Sequence, residues 1–315
     1  MTIEAPRERI KARGGHHPAR FLQNLKWFAQ AFAVGAFWQV AARLPTDRAS
    51  SLGRWMLRAM TPRLSRTQRI RRNLRRALPG KSGPEIDELA REVWGSVGQL
   101  LAEYAHLEAL CIDGAEDRVE VVLDWDIEAY RRAGKPVVFV TAHLANWELT
   151  AAMAVAMGVP LTVVYNPMRN PFIDRMLQRK RRAVGCNFVT KKAASRRLLR
   201  DLQNGTSVGL LVDQRVREGE PVAFFGRDAL TSISPARLAL KFDCDLVPVQ
   251  VERTGGARFR VTFHHPVKPD GDAADSQTRA LQMTRKINER FEAWIRKRPE
   301  QWICWKRRWP DTAGA

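Results

Sequence analysis

The sequence predicts an α/β fold, a mainly parallel sheet flanked by helices, behind an N-terminal helical region that associates with membranes. Three observations carry this. From about residue 118, short β-branched runs alternate with helical patterns, the signature of a parallel sheet with crossover helices. Upstream, the patterns have helical spacing only, broken at Pro45, Pro62 and Pro79-Gly80. Residues 21–42 are apolar and rich in aromatics beside a basic flank.

Taken in order, residues 1–20 form a basic tail with His16-His17, expected to be disordered. Residues 21–110 are the helical, membrane-associating region, and 111–309 the α/β core. In the first of these, Phe21, Trp27, Phe28, Phe32, Phe37 and Trp38 are interrupted by Lys26, Gln30 and Gln39. The apolar stretch 27–42 is 16 residues long, short of the ~20 that a transmembrane helix needs. Aromatic anchors and a polar interruption suit a helix lying in the interface; a single span is the alternative. Further helices are expected at 52–64, 67–77 and 84–107. In the core, strands are expected at 119–122, 137–141, 161–165, 208–212, 246–251 and 259–263. Helices are expected at 147–157, 174–184, 193–203, 235–242 and 277–297.

The charge is far from typical. The 315 residues carry a net charge of +20, with 45% hydrophobic content. Residues 1–81 hold 18 Lys/Arg against Glu4, Glu8 and Asp47. A second basic cluster runs from Arg175 through Arg179 and Arg182 to Lys191-Lys192 and Arg196-Arg197. A third includes Arg296, Arg298, Lys306 and Arg308. Such clusters draw polyanions: nucleic acid, anionic lipid or an acidic carrier protein. They lack an RNP-like aromatic pattern or zinc-finger spacing, so nucleic acid is not the expected partner. Cys111, Cys186, Cys244 and Cys304 stand apart, with no CxxC pair. That fits reduced thiols and argues against a disulfide framework or a metal site.

The chemistry centres on His143. It follows the strand 137–141, in the turn to a helix for which Asn146 is a plausible N-cap. Open α/β sheets place ligand crevices at such strand ends. Glu148 follows five residues later, close enough on the first helical turn to reach back and steady an imidazolium. The next strand end opens onto Asn166, Arg169 and Arg175, and the strand 208–212 onto Asp213 and Gln214. Gathered on one edge, a base, cations and a carboxylate or amide suit transfer of a group to an alcohol. His143 and Glu148 are the expected catalytic pair. Asn146, Arg169, Arg175, Asp213 and Gln214 are expected to bind substrate. Gly205, Ser207 and Gly209 match GxSxG, but a helix precedes and a strand follows, the reverse of a nucleophile elbow. There is no HExxH, P-loop or GxGxxG, so no metal or cofactor is expected.

These residues resemble the lipid A biosynthesis lauroyl/myristoyl acyltransferases, within the wider glycerolipid acyltransferases. The resemblance rests on His143-Leu144-Ala145-Asn146-Trp147-Glu148, then Asn170 to Asp174, Asp213-Gln214, Phe224-Phe225-Gly226 and Val247-Pro248. It continues through the ending from Arg298 to Trp309, with Trp302 and Trp305. Upstream, Asn73-Leu74, Ala77 to Pro79, Trp94, Gly98 and Glu103 are similar too. The resemblance covers roughly 21–309. One departure is that many members carry Arg before the proline of the second block, where this chain has Asn166; Arg169 or Arg175 would supply the charge. The resemblance implies a glycerolipid-acyltransferase-like fold at the cytoplasmic face of a bacterial inner membrane. It implies transfer of an acyl chain from acyl carrier protein, or CoA, to a hydroxyl of a lipid A precursor, an anionic glycolipid. A lysophospholipid, aminolipid or glycosylated phosphoinositide is the alternative acceptor. A non-enzymatic binder of anionic membrane or nucleic acid would leave the His143/Glu148 spacing unexplained.

Overall fold

Among the residues described in the computed structural model, 18–113, 115–271 and 275–310, five α-helices precede the first strand. The first is α1 (Pro18–Ala41). It starts within the stretch expected to be a disordered tail, with proline at its head, where a missing N–H costs nothing. Residues 1–17, including His16 and His17, lie outside the described residues. Along α1, Ala31, Trp38 and Ala41 are buried while Phe21, Leu25, Phe28 and Phe32 are exposed. The Trp38 indole donates to the Leu101 carbonyl at 2.7 Å. The C-terminal half of α1 thus belongs to the core, and its N-terminal half presents an apolar stripe. Among the described residues, no helix is long and apolar enough to cross a membrane.

Next come α2 (Thr46–Met60), α3 (Thr67–Ala77) and α4 (Gly83–Glu103). Helix α2 begins six residues before the expected start, because Pro45 ends the preceding turn and frees Thr46 to open a helix. Its Asp47 accepts from the Ala257 backbone N–H at 2.8 Å and pairs with Arg118 at 3.0 Å. Helix α4 opens on a capping box of Ser82 and Glu85. Helices α2 and α4 cross at Gly53 and Gly98, where a Cβ on either glycine would fall on the other's carbonyl oxygen. Only glycine permits this approach, which fixes how close the two helices lie.

The remaining elements are α5 (Ala115–Arg118), β1 (Val119–Leu123), α6 (Ile127–Ala133), β2 (Val137–Thr141), α7 (Glu148–Ala156) and β3 (Leu161–Tyr165). They continue with α8 (Pro171–Arg181), β4 (Asn187–Thr190), α9 (Ala194–Gln203), β5 (Ser207–Leu211), β6 (Glu220–Phe224) and β7 (Arg227–Thr231). The chain ends with α10 (Ser234–Lys241), β8 (Asp245–Gly255), β9 (Arg258–Phe263) and α11 (Ser276–Lys297). Seven strands form one sheet in the order β1-β9-β8-β2-β5-β3-β4. Every neighbouring pair is parallel except β8–β9. The expected α/β class and mainly parallel sheet are therefore observed. Strand β4, helix α6 and the β6–β7 hairpin are additional. The hairpin turns at Phe225 and Gly226, both at positive φ, as a two-residue turn matched to strand twist requires. One apolar core runs from Trp38, Ile70, Leu74 and Trp94 through β2, β5 and β8 to Phe291, Trp302 and Trp309.

Candidate active site

Strands β2 and β5 are central, adjacent and parallel, with Thr141 opposite Leu211. Two residues beyond that pair stand His143 and Asp213, so the strand register alone sets them side by side. Asp213 Oδ1 lies 2.6 Å from His143 Nδ1. Asp213 Oδ2 accepts from the Trp302 indole N–H at 3.0 Å. Burial opposes ionisation of Asp213, but the His143 charge and the hydrogen bonds from His143 and Trp302 outweigh it. The carboxyl is held below the usual aspartate value. The Gln214 amide nitrogen is 3.1 Å from His143 Nε2. That nitrogen lies equally near Nδ1, at 3.2 Å, so it selects neither tautomer; the carboxylate on Nδ1 favours the tautomer with its proton on Nδ1, leaving the lone pair on Nε2. Trp147 packs edge-on to the imidazole, with ring centres 4.9 Å apart.

The turn carrying His143 is clamped from behind. Leu144 and Trp302 form an antiparallel bridge. Ala145 N–H donates to the Gln301 carbonyl at 3.0 Å, and Ile303 N–H to the His143 carbonyl at 2.8 Å. Ala145 adopts φ of 42°, a strained conformation that such surroundings enforce. Asn146 does not cap α7. Its side chain is fully buried and donates to Glu103 at 3.1 Å, while its Oδ1 has no partner. Glu103 also pairs with Arg253 at 2.6 Å and accepts from Ser50 at 2.7 Å. This polar cluster fastens α2 and α4 to the turn.

Glu148 departs most clearly from the sequence reading. Its carboxylate does not turn back to His143. It points into the protein, where Arg181 donates to it at 2.6 and 3.0 Å and Tyr104 at 2.6 Å. Burial works against the Arg181 charge, but Glu148 and Tyr104 hold its pKa above the ordinary arginine value. Burial and the Glu148 charge raise Tyr104, keeping it a neutral donor. The carboxylate beside the imidazole is that of Asp213, because a carboxylate at the start of α7 faces the helix side of the sheet rather than the strand end. Arg181 was missed by sequence reasoning. It sat in a basic run, and only its position on the inward face of α8 distinguishes it from its neighbours.

Of the other expected residues, Arg169 is exposed in the β3–α8 loop. Arg175 is exposed over the Phe172 ring at 5.3 Å. Neither makes a hydrogen bond to the His143–Asp213 pair. Asn170 serves as the cap of α8 and donates to the Trp27 carbonyl at 2.8 Å, holding α1. Ser207 is fully buried and accepts from Val137 N–H at 3.0 Å, a structural hydroxyl. Burial pushes the Cys111 and Cys186 thiols up to about 12, so neither supplies a thiolate near neutral pH. Among the described residues, no group of three or more His, Cys, Asp or Glu is placed to hold a metal ion.

A sequence model of the bacterial lipid A biosynthesis acyltransferases matches residues 18–311. The chain belongs to this family. It is an acyltransferase. The chain is 25% identical over 289 residues to the lipid A biosynthesis myristoyltransferase of Escherichia coli, covering 88% of this chain and 86% of that one. It is 23% identical over 248 residues to a phosphatidylinositol mannoside acyltransferase of Mycolicibacterium smegmatis, covering 77% and 79%. It is 22% identical over 271 residues to a lipid A biosynthesis acyltransferase of Haemophilus influenzae, covering 84% and 81%.

Proposed function

We propose that this acyltransferase moves a fatty acyl chain from an acyl carrier protein or CoA thioester to a hydroxyl of a lipid A precursor. The Asp213–His143 contact carries the mechanism. His143 Nε2 takes the proton from the acceptor hydroxyl as its oxygen attacks the thioester carbonyl. Asp213 holds Nδ1–H and offsets the imidazolium charge. The tetrahedral intermediate collapses, the C–S bond breaks, and the imidazolium returns the proton to the leaving thiolate. The basic clusters favour an acidic carrier and an anionic acceptor, with a rate that falls as salt rises.

The relatives leave a second acceptor in play, because identity to the mannoside enzyme is close to that of the lipid A enzymes. Mass spectrometry of lipid A from a deletion strain separates the two. Loss of one secondary acyl chain is expected; unchanged lipid A with an altered phosphoinositide mannoside would assign the second acceptor.

The enzyme is proposed to work at the cytoplasmic face of the inner membrane. Phe21, Leu25, Phe28 and Phe32 recur at helical spacing on α1 and are 71%, 55%, 58% and 70% exposed. A continuous exposed apolar stripe on a helix beside basic residues suits insertion into the headgroup region. Changing Phe21, Leu25 and Phe32 together to Ser should abolish co-sedimentation with anionic vesicles while the melting temperature holds. Undiminished co-sedimentation would remove this stripe from membrane binding. Deleting residues 1–44 is a poorer test, since it also removes buried Trp38.

A further inference from the structure

We propose that Arg66, Lys191 and Lys306 form a phosphate-binding subsite beside the His143–Asp213 pair. The segment after Trp302 lies along α3. Asn73 donates to the carbonyls of Cys304 and Lys306, both at 2.7 Å, and Arg76 donates to the Pro310 carbonyl at 3.0 Å. At the start of α3, the Arg66 guanidinium lies 5.4 Å from the centre of the Trp305 ring. Arg66 and Lys306 therefore meet at one end of this contact. Lys191 directly follows β4, so the parallel sheet brings it to the same edge as the residues following β2 and β5.

All three side chains are exposed, and among the described residues none has a carboxylate partner. Arg54 and Arg58, by contrast, pair with Glu92 and Glu88. Lys306 is held below the ordinary lysine range by lost solvation. Asp213 opposes this, and repulsion from Arg66 and Lys191 adds to it. Neighbouring Arg308 is likewise without a carboxylate and is pushed down to about 10 by burial, opposed by Asp213. Its two terminal nitrogens donate to the Leu230 carbonyl and the Thr231 hydroxyl, while its buried Nε has no partner. Like charges crowded at a strand-end crevice are unfavourable until an anion arrives. A guanidinium fork with two ammonium groups matches the several oxygens of a phosphate better than the two of a carboxylate.

Isothermal titration of the full-length protein with inorganic pyrophosphate, at fixed ionic strength, tests the subsite without requiring acyl transfer. Saturable binding is expected, weakened about tenfold or more in Arg66→Gln, Lys191→Gln and Lys306→Gln, and largely kept in Lys306→Arg. No saturable binding in the native protein, or equal binding in the folded Gln variants, overturns it. Which substrate carries the phosphate rests on the acyl-transfer reading, and a second measurement assigns it. In Lys306→Gln, KM should rise about fivefold or more for either the acyl donor or the lipid acceptor, and the substrate affected is the source. Both KM values unchanged with only kcat lowered would overturn substrate recognition by this cluster.

Discussion

His143→Ala is expected to lower turnover by about 10²–10⁴-fold, the range supplied by a positioned general base. Asp213→Asn should fall by a similar order, since an amide cannot hold the Nδ1–H tautomer or offset the imidazolium charge. Both proteins should remain folded, because the β2–β5 ladder and the Leu144–Trp302 bridge do not depend on either side chain. The check is single-turnover acyl transfer alongside circular dichroism. Asp213 also carries a pH signature in stability. Its folded pKa is depressed, so the stabilisation it gives is present above the ordinary aspartate value of about 3.9. That stabilisation is lost as pH falls through the lower folded value. Asp213→Asn should remove that acid-side loss.

Glu148→Ala is expected to act mainly on stability. It strands the Arg181 guanidinium, whose side chain is 10% exposed, and removes the acceptor of the Tyr104 hydroxyl. Breaking a buried pair from one side costs about 3–5 kcal/mol. Urea unfolding should show a loss of that order. Replacing both partners with Glu148→Leu and Arg181→Met should cost much less than the two single changes summed, since no buried charge is then left alone. A Glu148→Ala protein that melts normally and loses only turnover would instead return Glu148 to the imidazole.

Much of this arrangement was legible in the residues. The runs 137–141, 161–165 and 259–263 read as strands, because each is short, apolar and β-branched between turn signals. His143 was identifiable because it ends the most buried of them, and Asp213 was on the right edge. Which carboxylate meets the imidazole was not legible. Spacing along the chain pointed to Glu148, five residues away, whereas the contact is set by the pairing of β2 with β5, 70 residues apart. The N-cap reading of Asn146 failed for a related reason: its partner Glu103 lies on α4, and no local pattern links them. The β6–β7 hairpin escaped because its turn is Phe225-Gly226 rather than an Asn-Gly or Asp-Gly signal. Strand β4 has only four residues. The ending from Arg298 to Trp309 suggested a family but not a role. In the fold it supplies the indole that holds Asp213 and the backbone that clamps the His143 turn.

The most direct measurement is a double-mutant cycle on kcat/KM for acyl transfer with His143→Ala, Asp213→Asn and the double variant. If Asp213 acts through His143, the double variant should be no slower than His143→Ala alone, as residues working as one unit are strongly non-additive. Additive losses, or an Asp213→Asn protein with near-normal kcat/KM, would contradict the proposal that Asp213 acts through His143.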